Sequence, residues 1–352
     1  SIFGNDLISS TRGQLEATGS GIKLTRGDLA LRVNFATVDS LKEGNIIDRR
    51  AGRTLTTSEA EILAKALNRI KLPVDFIFKQ TIQHRAVLVF RGGLSEDITG
   101  NDSGYYQGRH IIINKLGYSK PLDDEENSQY AANILNEFLG KAYQVLDRHP
   151  INEQRRKRGL LPANCLLVRG PGIEIPNLRI YKRWIAVTPM PLEIGLSKLS
   201  GMKVFDFGYP ELKGLDAYQN LYEGLKKTCN HAIKVLKKNS KSANYAVIYL
   251  KETDLPGHDN KPLEKKAMIE YIDKTLFKFL RGFAPKKKIK IVVTADHSTP
   301  CKLKRHSSDP VPVLFYNNSV PREKKFSEKE AAKGTLGSFS GKELLEKVGF
   351  TK

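Results

Sequence analysis

Apolar and polar residues alternate along Leu29-Ala30-Leu31-Arg32-Val33-Asn34-Phe35-Ala36-Thr37-Val38, the period of a strand with one buried face. Residues 76–78, 86–90 and 164–172 also read as strands, the last ending in a Gly/Pro turn. Between them a helix opens at Thr57-Ser58, with either residue as its cap and acids in its first turn, and runs to about Leu67. Residues 123–146 start with acids and then set Ala131, Ile134, Leu135, Phe138 and Leu139 at helical spacing. A short helix is expected at 14–18, and the Gly-, Ser- and Asp-rich stretch 94–106 reads as a loop.

From Arg179 onward short strands alternate with helices. The strands are Trp184–Val187, Lys203–Phe205, 245–250 and a run reaching Val293; the helices are 191–198, 217–238 and 263–283. A capped helix in the tail ends at Gly334. That succession predicts an α/β fold built on a doubly wound, largely parallel sheet with helices on both faces.

Two of these strands change the picture from fold to chemistry. The run 245–250 is followed by Asp254-Leu255-Pro256-Gly257-His258, and Ile291-Val292-Val293 by Thr294-Ala295-Asp296-His297-Ser298-Thr299-Pro300. A further histidine follows in His306-Ser307-Ser308-Asp309-Pro310-Val311-Pro312. Both strands are expected to be buried, and ligands in open α/β sheets sit beyond the strands' carboxyl ends. Asp254, His258, Asp296, His297 and His306 are therefore candidates for one crevice. Mixed carboxylate and imidazole suit Mn, Zn, Fe or Ni better than Ca or Mg. Five such groups exceed the needs of one ion, and paired metals can clamp the oxygens of a phosphoryl displacement.

A second candidate site lies upstream. Asn45-Ile46-Ile47-Asp48-Arg49-Arg50-Ala51-Gly52-Arg53 carries three arginines in five residues, a pattern suited to carboxylate or phosphate oxygens. His84, Arg85 and Arg91 frame the strand at 86–90, and Arg169 ends another. These cations suggest an anion pocket.

The length of 352 residues implies two domains. With 40% hydrophobic and 27% charged residues, and no apolar run of membrane-spanning length, the composition is that of a globular chain without a membrane segment. The start has no signal-peptide pattern, and Cys165, Cys229 and Cys301 are widely spaced, so free thiols in a reducing, cytoplasmic setting are expected. The net charge of +20 attracts anions generally. Its clusters, Arg155-Arg156-Lys157-Arg158, Lys286-Lys287-Lys288 and 302–305, are not interleaved with aromatics. They read as solvated surface, with nucleic-acid binding at most weak and non-specific; the third flanks His306 and would draw in an anionic substrate.

The ordered motifs resemble those of the archaeal-type, cofactor-independent phosphoglycerate mutases of the alkaline phosphatase superfamily. The matching pieces are the Asp254–His258, 294–300 and 306–312 segments, the tail Ala331-Ala332-Lys333-Gly334-Thr335-Leu336-Gly337, and, earlier, Asn34-Phe35-Ala36-Thr37-Val38-Asp39 with 48–53. The resemblance spans nearly the whole chain and implies a two-metal phosphatase-type core (1–24 and 173–352) with an inserted substrate-handling domain (25–172). It implies two divalent ions, Mn or Zn first, Mg or Co next. Asp254, His258 and His306 would hold one ion, and Asp296 with His297 the other. Asp48, Arg49, Arg50 and Arg53, then His84, Arg85, Arg91 and Arg169, would hold phosphoglycerate while it reorients. The family's nucleophilic Ser and first metal-binding Asp would lie upstream of Ser1, by truncation or in a separate N-terminal chain. Rival readings are another two-metal phosphotransferase or phosphatase on a small phosphate ester, and an inactive homologue that binds RNA. The pattern leaves metal identity and oligomeric state open.

Overall fold

The computed structural model describes residue 3 and residues 11–102, 114–214, 216–318 and 325–351. In chain order its main elements are α1 (Thr11–Gly19), β1 (Leu29–Val38), β2 (Ile46–Asp48), α2 (Thr57–Leu67), β3 (Phe76–Gln80), β4 (Arg85–Phe90), α3 (Glu126–Asp147), α4 (Pro150–Lys157) and β5 (Cys165–Gly172). There follow β6 (Trp184–Val187), α5 (Pro191–Leu199), β7 (Lys203–Phe205), α6 (Ala217–Asn239), β8 (Tyr245–Ile248) and α7 (Asp254–His258). Last come α8 (Pro262–Ile272), α9 (Lys278–Lys287), β9 (Ile291–Val293), β10 (Leu314–Tyr316), α10 (Glu328–Ala331) and α11 (Leu344–Lys347). Packing divides the chain into two units, one of 8–177 with 189–220, the other of 1–7, 178–188 and 221–352.

The first unit is built on an antiparallel sheet. β1 pairs with β4 on one side, with β5 on the other and with β2 near its end, while β3 flanks β4. Alternation along β1 sends Leu29, Leu31, Val33 and Phe35 to one face, where they meet Leu63 and Leu67 of α2 and Leu135 and Phe138 of α3. Arg85 and Arg169, out of step with the core residues Ala86 and Val168, belong to the opposite face. There α1 covers Ala30, Val87 and Val89 with Ala17. The cap of α2 is Thr56, one residue before the expected Thr57 or Ser58: its hydroxyl accepts from the Glu59 N–H at 3.0 Å, and Glu59 accepts from the Thr56 N–H at 2.9 Å.

Division by packing differs from the expected boundaries at 24/25 and 172/173. The reason is the contact of α1 with α5. A β-carbon at Gly19 would lie 1.7 Å from the Pro191 carbonyl oxygen, and one at Gly195 would lie 1.8 Å from that of Leu15. The two backbones touch, so α1 and α5 fall in one unit with the antiparallel sheet.

In the second unit β6 and β8 pair in parallel, Trp184 opposite Tyr245, the pairing expected of the α/β half. β9 pairs instead with β10, antiparallel. Both β8 and β9 are half-buried rather than buried as expected. The helix expected at 263–283 is α8 and α9 joined by a π-helical stretch, Asp273–Phe277. Among the described residues, no helix is long and apolar enough to cross a membrane.

Candidate functional site

Each unit carries one cluster. In the second unit, β8 leads within a few residues to α7, a single turn of helix. Its i, i+4 spacing puts Asp254 and His258 on one face. The segment after β9 brings His306 to the same place, and Ser298 and Ser307 bridge it as an antiparallel pair. The Asp254 Oδ1 lies 3.5 Å from His258 Nε2 and 3.6 Å from His306 Nε2, and the two histidine nitrogens are 3.2 Å apart. Gly257 makes this approach possible, because a β-carbon there would lie 2.4 Å from the Thr299 carbonyl oxygen.

His258 Nδ1–H donates to the Lys304 carbonyl oxygen at 3.0 Å, which fixes the ring with Nε2 towards the cluster. Burial pushes the Asp254 carboxyl up, but Lys251, the Thr299 hydroxyl, His258 and His297 outweigh it and hold the group below the usual carboxylate range. Burial, with His297, pulls His306 down and favours its neutral, ligating form. Three atoms of ligand type therefore face one another at 3.2–3.6 Å. Ligands about 2.1 Å from a tetrahedral ion stand roughly 3.4 Å apart, so this spacing fits a divalent cation.

His297 stacks on the His306 ring at 3.5 Å between centroids, and its Nε2 lies 3.4 Å from Asp296 Oδ2. Of the five residues expected at the metal centre, the structure groups the ligand atoms of Asp254, His258 and His306; His297 lies beside them, and Asp296, next to it in sequence, is 74% exposed. Thr299, to which the motifs assign no role, links the two halves. Its hydroxyl donates to Asp254 Oδ1 at 2.9 Å and accepts from His297 Nδ1–H at 3.0 Å. Thr299→Val keeps the shape and removes both bonds. We expect metal affinity to fall about 10–100-fold, as for other ligand-orienting partners, and Thr299→Ser to restore it. Metal titration of the purified variants checks this; wild-type affinity in Thr299→Val would sink the role.

The first unit holds the cationic cluster. His84 is buried, 8% exposed, and its Nδ1 has no hydrogen-bond partner among the described residues. Its pKa lies well below the ordinary imidazole value because of burial first, then Arg85, Arg50, Arg53 and Arg169. Four of the expected arginines therefore surround one neutral histidine. Arg49 joins through Asp102, a buried carboxylate that pairs with Arg49 and lies 3.6 Å from Arg169 Nη1. Asp102 was not anticipated, since it sits in a polar loop with nothing to mark it.

Two expected members differ. Asp48 builds the turn: its Oδ1 accepts from the N–H groups of Arg50 at 2.7 Å and Gly52 at 2.8 Å. Arg91 stands past the far end of β4 from Arg85 and pairs with Asp28. The spacing of cations around a strand could not separate its two ends.

His84 also makes a pH prediction. The folded protein keeps this imidazole neutral while the unfolded chain protonates it near pH 6.5. The unfolded state then binds more protons, so its contribution to stability is full above pH 6.5 and is lost as pH falls through that value. Melting temperatures between pH 7.5 and 5 should therefore fall more steeply for the wild type than for His84→Gln. Parallel profiles would contradict the buried neutral state.

Residues 218–351, which include the Asp254, His258 and His306 cluster, match the family model "Metalloenzyme superfamily". Residues 1–152 match that of the 2,3-bisphosphoglycerate-independent phosphoglycerate mutases. A curated mutase of that name from Pyrococcus furiosus is 40% identical over 98% of this chain and 81% of its own length. One from Archaeoglobus fulgidus is 38% identical over 96% and 79%. Among solved structures, a Pyrococcus horikoshii protein aligns with a TM-score of 0.70 at 28% identity, over 100% of this chain and 82% of that one. The cofactor-independent phosphoglycerate mutase of Thermoplasma acidophilum aligns with a TM-score of 0.55, also at 28% identity, over 99% and 84%. The chain belongs to the 2,3-bisphosphoglycerate-independent phosphoglycerate mutase family.

Proposed function

We propose that this protein interconverts 2-phosphoglycerate and 3-phosphoglycerate, without added bisphosphoglycerate, as a metal-dependent mutase of glycolysis and gluconeogenesis. The observation that carries the reading is the Asp254, His258 and His306 set, whose ligand atoms all lie within 4.8 Å of one another. In this reading they hold one divalent ion, Mn or Zn by their oxygen and nitrogen donors, and Asp296 with His297 contribute to a second. A bound ion supplies positive charge to phosphoryl oxygens. The Lys304 carbonyl keeps the His258 Nε2 lone pair aimed inward, and Thr299 keeps Asp254 and His297 in register.

The first unit is the substrate-handling domain. Arg50, Arg53, Arg85 and Arg169 give a carboxylate or phosphate paired N–H donors, which lysines would not match. His84, buried beside them, stays neutral and adds no charge of its own to the pocket. Asp102 sets Arg49 and Arg169, while Asp48 shapes the turn and Arg91 takes no part. A phosphatase on another phosphate ester would share the metal set and differ in this pocket.

The test is 2-phosphoglycerate formation from 3-phosphoglycerate by the full-length protein, with Mn, Zn, Co or Mg and no bisphosphoglycerate. Activity that disappears on chelation and returns with metal is expected. Activity indifferent to chelation, or release of inorganic phosphate as the main product, would overturn the reading.

A further inference from the structure

Arg155 opens the basic run 155–158, which the sequence places on a solvated surface. The structure buries it instead, with its side chain 1% exposed. Its five N–H groups meet five acceptors. Nε donates to the Leu161 carbonyl at 3.0 Å; Nη1 donates to the Thr54 carbonyl at 3.2 Å and to Glu59 Oε2 at 2.9 Å. Nη2 donates to the Ala51 carbonyl at 3.3 Å and the Thr54 hydroxyl at 2.7 Å. A guanidinium has five N–H donors, so this one is fully used.

Four of those bonds end on the turn that carries the cationic loop or on the helix cap just after it. That turn is unusual: Ala51, Gly52 and Arg53 all have positive φ, 48°, 68° and 58°. Only glycine takes that region freely, so Ala51 and Arg53 stay there because something holds them. The hold comes from two sides. Asp48 Oδ1 takes the N–H groups of Arg50 and Gly52, and Arg155 takes the carbonyls of Ala51 and Thr54.

We infer that Arg155 is the positioning residue of the anion pocket, holding the left-handed turn 51–53 so that Arg50 and Arg53 face the phosphoglycerate. The inference rests on the pocket proposed above. Arg155 is not itself a contact, since all its donors are taken. Lysine cannot replace it, because one ammonium with three donors cannot span acceptors on Ala51, Thr54, Glu59 and Leu161. Released from below, the turn relaxes towards right-handed backbone and carries the two guanidinium groups out of place.

The test is calorimetric binding of 3-phosphoglycerate to the metal-loaded full-length protein as wild type, Arg53→Ala, Arg155→Lys, the double variant and Thr54→Val. Arg155→Lys should bind about tenfold more weakly with unchanged metal content, and in the Arg53→Ala background the same change should add less than about twofold. A merely structural arginine would not show that coupling. Thr54→Val, which removes one of the five acceptors of Arg155 together with the hydroxyl's own 3.3 Å bond to the Ala51 carbonyl, should show a smaller loss and decides the matter if Arg155→Lys does not fold. Wild-type affinity in folded Arg155→Lys or in Thr54→Val, or equal losses with and without Arg53, would overturn the inference. Wild-type affinity in Arg53→Ala alone would instead bring down the pocket, and this inference with it.

Discussion

Asp254→Ala should empty the metal set that it anchors. One Asp254 oxygen lies within 3.6 Å of both histidine nitrogens and also accepts from Thr299, so its loss leaves two imidazoles facing each other with no anion between them. Removing a partner that only orients a ligand costs roughly 10–100-fold in affinity, and removing a ligand costs more. Elemental analysis of the purified variant should show one ion fewer than the wild type, with mutase activity lost alongside. His306→Ala should do the same. Because His306 is half exposed, its loss leaves little buried strain, and the fold should survive. Wild-type metal content in both variants would rule out this ligand set.

Arg53→Ala should leave the metal untouched and weaken phosphoglycerate binding. Arg53 is half-buried and, with Arg50, Arg85 and Arg169, is one of the cations that hold His84 neutral. Removing a desolvated charge contact costs about 2–5 kcal/mol, and Arg50→Ala should cost a similar amount. Relief of mutual repulsion among the arginines pushes the loss towards the low end. The variant should also let His84 protonate more readily, since one cation that holds it neutral has gone. Unchanged affinity in both variants would make the loop an exposed turn and nothing more.

Most of what placed these sites was legible in the chain. β1, β4, β5, α2 and α3 follow from apolar patterning and helical spacing, because each sets one face into the same large core. The metal residues follow from three short motifs, each lying after a strand. Less legible was anything decided by distant partners. Arg155 reads as one more cation in a basic run, yet its acceptors at Thr54 and Glu59 are 101 and 96 positions away. Asp102 and Thr299 are ordinary polar residues until the fold sets them between ligands or arginines. The membership of α1 and α5 depended on Gly19 and Gly195, and glycine in a sequence does not say whether it meets solvent or another backbone. Arg91 and Arg85 bracket the same strand and could not be told apart before its direction was known.

The close passage of Gly257 against Thr299 has a consequence for the chain as a polymer. It lets histidines 48 positions apart in sequence meet at 3.2 Å, so an ion held between them closes a loop of that length. Closing a long loop removes freedom mainly from the unfolded chain, as a disulfide would, but this clasp can be undone by a chelator. The cation would thus act as a removable fastener, and in its absence α8, α9 and β9, all inside that loop, would open more readily and expose their backbone to proteolysis.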